Sequence, residues 1–193
     1  MINPRGLVLV TMILAAAATR LIPPLASPYI NLWNFTAIGA MCLFGGAYFR
    51  RKSVAFLVPM VALFLSDVLL AAMIYGFRSL NVVWMSYLLF GLTTLLGMTL
   101  RGRVTFLNVA AAAVVATAGF FLVSNFNVWF SGDFYPHTVA GLVACYLAAI
   151  PFAENMLLGN LFYSAVLFGG YELLSMRWPV LRRSELATVP SQA

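Results

Sequence analysis

Residues 50–75 read RRKSVAFLVPMVALFLSDVLLAAMIY. Three basic residues are followed by a long apolar stretch whose one charge is Asp67. A helix crossing a bilayer needs ~20 mainly apolar residues. Peptide groups in lipid must bond internally, so such a stretch is a helix unless the chain closes a barrel. Barrel strands alternate polar and apolar residues in short segments, and no such alternation is present. The stretch therefore reads as a membrane helix with a basic flank at one end.

The rest of the chain repeats that pattern. Uncharged runs cover 6–19, 21–49, 53–66, 79–100, 104–132, 134–153 and 155–171. Of 193 residues, 63% are hydrophobic and 8% charged. A soluble domain carries about 25% charged residues and could not hide this much apolar surface. Disordered chains are polar and charged, so disorder is excluded as well. Two cysteines make no disulfide scaffold. The net charge of +6 is too sparse for a nucleic-acid surface and has to be read by position.

The expected fold is an all-α integral membrane protein of six transmembrane helices. They fall at roughly 6–22, 34–50, 54–75, 81–100, 105–124 and 154–176. The apolar segment 137–151 is short and ends at Pro151, so it reads as an interfacial or re-entrant helix before the last span. Residues 1–176 form one transmembrane domain, and 177–193 a cytoplasmic tail. Lys and Arg gather in short cytoplasmic loops. Arg5, Arg50, Arg51, Lys52, Arg101, Arg103, Arg177, Arg182 and Arg183 fall on one side of this arrangement, with both termini. Arg20 and Arg78 fall on the other. A seventh span would put the C-terminal arginines outside. Trp33, Trp84, Trp129 and Trp178 sit at expected membrane boundaries, as amphipathic rings do. Residues 1–18 also carry signal-peptide features, namely Arg5, an apolar run and Ala15–Ala18. Cleavage there would leave an odd number of spans and an outer N-terminus. The chain as read is a multi-pass protein of the bacterial cytoplasmic membrane.

Little chemistry is available. One histidine excludes a multi-histidine metal site. There is no Walker A loop, dinucleotide fingerprint or nucleophile elbow. No catalytic residue, metal or cofactor is expected, and the chain is not read as an enzyme. Cys42 and Cys145 read as buried thiols. The tetrapeptide Leu-Phe-Gly-Gly occurs at 43–46 and 167–170 and reads as close helix packing through small residues.

Polar groups inside the membrane are more informative. Asp67 lies in the outer part of its span, where a charge is a functional hypothesis by default. Arg20 lies at a comparable depth and is a candidate partner. A helix-locking ion pair and a direct ligand role carry equal weight here. Glu154, Asn155 and Asn160 open the last span, and 155 and 160 are poorly aligned on a helix. Glu172 near the inner end can reach the interface. Two outer segments, 21–34 and 124–137, interleave amides with aromatics, and Pro23, Pro24 and Pro28 stiffen the first. That composition suits a small-molecule pocket, or an ordinary aromatic belt. The candidate ligand-binding set is Asn31, Trp33, Asn34, Asn125, Asn127, Trp129, Tyr135 and His137, with Arg20 and Asp67 beneath and Asn155 nearby.

These residues bear a family likeness. Thr19-Arg20-Leu21-Ile22-Pro23, Asn34-Phe35-Thr36-Ala37-Ile38-Gly39-Ala40, Leu43-Phe44-Gly45-Gly46-Ala47, Ser66-Asp67 and Ala149-Ile150-Pro151-Phe152-Ala153-Glu154-Asn155 carry it. The chain resembles the substrate-binding S components of energy-coupling-factor vitamin transporters, over roughly residues 10–176. It more closely resembles a bacterial six-helix membrane family of unknown function. The resemblance implies a ligand such as a vitamin, taken from the outer side. It also implies a membrane coupling subunit, with ATPases in trans, docked on small residues of span 1. Thr11, Ala15 and Thr19 have the four-residue spacing, but not the clean alanine pairs. The rival reading is an accessory structural subunit of a larger membrane complex, for which the Ala-rich stretch 110–119 offers a packing surface.

Overall fold

A computed structural model of the chain describes residues 4–22, 34–76 and 84–181. It is all-helical over those residues. Helix α1 spans Pro4–Ala18 and tightens into a 3-10 turn at Thr19–Leu21. Helix α2 is Ile38–Tyr48, α3 is Lys52–Leu70 with a wide π turn at Ala71–Tyr75, and α4 is Trp84–Thr99. Helix α5 is Phe106–Ser131. Helix α6 runs Val139–Arg177, 39 residues, through a π turn at Ala165–Gly169. By length and composition α1, α3, α5 and α6 can each cross a membrane, whereas α2 and α4 are shorter apolar helices.

Helix α2 is the centre of the bundle. Every residue from Ile38 to Ala47 is buried, and α2 packs on all five other helices. A helix apolar all round is an interior helix, and its small residues let neighbours approach. A methyl group on Gly46 would stand 2.3 Å from the Thr94 carbonyl oxygen, and one on Gly97 2.4 Å from that of Leu43. Gly45 lies against Pro59 of α3. Phe44 anchors an aromatic cluster with Tyr48, Phe168 and Tyr171.

The last carbonyls of a helix lack intrahelical partners. At the end of α2 two arginines supply them. Arg101 donates to the Gly46 and Phe49 carbonyls at 2.9 and 2.8 Å. Arg5 donates to the Tyr48 carbonyl at 3.1 Å and to the Tyr171 hydroxyl at 3.0 Å. Cations there also suit the negative end of the helix dipole. The basic residues of the α1 start and the α4–α5 connection thus meet at one end of the bundle. Tyr171 in turn donates to the Leu181 carbonyl at 2.9 Å, which docks the turn Pro179–Leu181 on the bundle.

Three expectations need correction. Segment 137–151 is not a separate interfacial or re-entrant helix, because from Val139 onward it is continuous with 154–176 as the single helix α6. Proline removes one backbone N–H. At Pro151, on an exposed face, the helix on either side carries on. Helix α5 continues past 124 to Ser131, so half of the expected outer loop 124–137 is helical. At ~1.5 Å per residue its 26 residues reach ~39 Å, more than the ~30 Å hydrocarbon layer, so polar last turns are tolerated. Thr138 then caps α6 by accepting from the Gly141 amide. Finally, only the first Leu-Phe-Gly-Gly packs helices closely. A methyl group on Gly169 would meet nothing within 4 Å, and one on Gly170 would be in ordinary contact with Met12.

Candidate ligand-binding cavity

The Thr19–Leu21 turn carries Arg20 off the end of α1 toward α3. There its guanidinium lies 2.7 Å from Asp67 Oδ1. The same nitrogen donates to the Ser66 hydroxyl, and it approaches the Leu63 carbonyl at 3.5 Å. Tyr87 of α4 donates to the other Asp67 oxygen at 3.1 Å. The ion pair considered from the sequence is present, and the tyrosine extends it to a third helix. Pairing is how charges taken out of water are accommodated.

These groups floor a cavity of about 230 Å³. Asn34, Thr36 and Ile38 line it ahead of and at the start of α2. Leu63 comes from α3, Ser86 and Phe90 from α4, Phe120 from α5 and Met156 from α6. Every helix contributes. Phe90 and Phe120 pack 5.1 Å apart between ring centres and form one apolar wall. Asn34 has φ 65°, the left-handed region that asparagine tolerates better than most residues. The volume equals that of about eight liquid waters at ~30 Å³ each.

Of the residues singled out from sequence, Arg20, Asn34 and Asp67 line this cavity. Asn31 and Trp33 lie outside the described residues. Asn125, Asn127, Trp129, Tyr135 and His137 belong instead to the tip of the α5–α6 hairpin. Trp129 is nine residues beyond Phe120, ~13 Å along the helix. Its indole N–H donates to the Pro136 carbonyl at 3.0 Å, and its ring meets His137 edge-on. Asn125 donates back to the Phe121 carbonyl, and Asn127 accepts from Ser131. Tyr135 is half-buried in the connection. The Asn125 and Asn127 bonds thus stay within α5, and the Trp129 bond ties α5 to the connection before α6. Asn155, half-buried, sits one residue before the cavity-lining Met156. Glu154 is exposed, and Asn160 is buried, donating to Thr117 of α5 at 2.9 Å. Cys42 and Cys145 are buried free thiols.

Sequence reasoning missed Thr36, Ser86, Tyr87, Phe90 and Phe120. Tyr87 had a signal: it stands in the first turn of its helix, level with Asp67, to which it donates. The two phenylalanines had none, since nothing local separates a cavity wall from core.

A sequence profile matches residues 1–181. The chain belongs to DUF6580, a family of unknown function. Neither a curated protein nor a solved structure matches it.

This DUF6580 chain has a second, larger cavity of about 390 Å³ at the other end of the bundle. It is lined by Phe106, Val109, Leu161, Ser164, Phe168, Gly169 and Glu172 among others. Its walls are almost wholly apolar, whereas ligand sites combine apolar walls with convergent polar groups. The smaller cavity has that combination. Among the described residues no three His, Cys, Asp or Glu side chains group to hold a metal.

Proposed function

We propose that this chain is a membrane-embedded binding subunit that takes a small molecule into the Arg20–Asp67 cavity from the outer side. In this reading all six helices lie in the cytoplasmic membrane of a bacterium, with the basic end and both termini inside. The observation that carries it is the convergence of all six helices on one cavity with a charged floor and an aromatic wall. The reading follows the resemblance to vitamin-transporter S components. On α1, Thr11, Ala15 and Ala18 are exposed together with Leu7 and Leu14, a mixed small and leucine face open to a coupling subunit. Release of the ligand inside then depends on that subunit and its ATPases.

The test is thiol labelling of Ser86→Cys by a membrane-impermeant reagent. In intact cells the cysteine should react from the outside, and a low-molecular-weight nutrient extract should slow the reaction. A cysteine reached only from the cytoplasm, or one indifferent to every extract, would overturn the reading.

A second reading, an accessory subunit of a larger complex, is favoured by one feature. Ala111, Ala118 and Gly119 are exposed on α5, and a methyl group on Gly119 would meet nothing within 4 Å. Stoichiometric copurification of a membrane partner, with no ligand effect at Ser86→Cys, would favour it.

A further inference from the structure

The cavity's charges, not its size alone, define what fits. Among the described residues lining it, the charged ones are Arg20 and Asp67, and they cancel each other across 2.7 Å. Both sit on the floor, with side-chain exposures of 13% and 29%. Tyr87 already donates to Asp67, and one guanidinium nitrogen of Arg20 is committed to Asp67 and Ser66. The other terminal nitrogen of Arg20, Nη2, makes no such bond among the described residues, and Arg20 lines the cavity. An occupant that supplies an acceptor there gains a charge-assisted hydrogen bond. Helix α2 begins at the same cavity without a side-chain cap, and a helix N-terminus also favours an acceptor oxygen. A full charge is another matter. An ion that leaves bulk water needs a counter-ion, and here both charges among the described lining residues are already paired.

We infer that the ligand is a small, net-neutral, planar molecule bearing a carbonyl-type acceptor, held with its acceptor toward Arg20 and its ring toward Phe90 and Phe120. This rests on the binding-subunit reading above. A volume of about 230 Å³ suits a single ring with one polar substituent and excludes large multi-ring ligands.

Three probes of nearly equal size separate the possibilities: benzamide (neutral), benzoate (anionic) and benzamidinium (cationic). Their binding to the purified full chain in lipid nanodiscs is followed by ligand-observed NMR, with Ser86→Phe as the filled-cavity control. Benzamide should bind at least tenfold more tightly than either ion, and Ser86→Phe should abolish it. Asp67→Asn leaves Arg20 unpaired and should shift the preference to benzoate by at least tenfold. If that variant does not fold, the wild-type ranking decides alone. A wild-type preference for benzoate or benzamidinium would overturn the inference while leaving the binding cavity intact. Binding of all three unchanged in Ser86→Phe, or of none, would overturn both the inference and the cavity reading.

Discussion

Asn160 of α6 fills the space that a side chain on Gly39 of α2 would occupy: a methyl group there would stand 2.3 Å from the Asn160 amide oxygen. The same amide donates to Thr117 Oγ1 at 2.9 Å, and Thr117 donates to the Ala113 carbonyl at 2.9 Å. A glycine, an amide and a hydroxyl thereby join three helices below the cavity. Buried polar pairs between membrane helices contribute about 0.6 kcal/mol on average, up to about 1.7. Thr117→Val should lower stability by about 1 kcal/mol, read as the midpoint of unfolding in mixed micelles. Gly39→Ala should be more damaging, because a packed amide must move. A neutral outcome for both would remove this three-helix junction.

The Arg20–Asp67 pair should behave as a buried pair. Arg20→Ala alone or Asp67→Ala alone strands a charge and should cost about 3 kcal/mol. Replacing both with apolar residues should recover much of that loss. A double-mutant cycle in nanodiscs measures the coupling, and additive losses would mean that the two charges act separately.

The two Leu-Phe-Gly-Gly copies should respond oppositely to Gly→Ala. Gly46→Ala in the first copy, and Gly97→Ala on the α4 face packed against it, force a methyl group onto a neighbouring backbone carbonyl, so α2 and α4 must separate, at about 1–3 kcal/mol. Gly169→Ala meets open space and removes a weak helix former, so it should be neutral or stabilising by up to about 1 kcal/mol. Thermal aggregation temperatures of the three variants give the comparison directly.

The hairpin tip should be separable from ligand binding. Trp129→Ala removes the Pro136 hydrogen bond and the His137 contact, and should loosen hydrogen-exchange protection over 125–140. It should change ligand affinity less than twofold. A large loss of affinity would mean that the tip reaches the ligand.

How the sequence disclosed these features depended on their range. Uncharged runs and basic flanks disclosed the helices, because lipid punishes any other use of such residues. The Arg20–Asp67 pair was visible because two charges at one depth have few other partners. Pro151 misled, since one missing N–H does not end a helix supported along its length. The amides at 125 and 127 misled for the opposite reason. Polar residues end a membrane span but do not end a helix. The wall made by Phe90 and Phe120 left no local signature, because a cavity is a property of several helices at once.

The most direct measurement is mass spectrometry of the small molecules released from the purified chain, wild type against Ser86→Phe. Wild type is expected to carry a low-mass, net-neutral ring compound in near-stoichiometric amount, and the filled-cavity variant, equally folded, to lack it. Identical small-molecule profiles from the two proteins would contradict a ligand in the Arg20–Asp67 cavity.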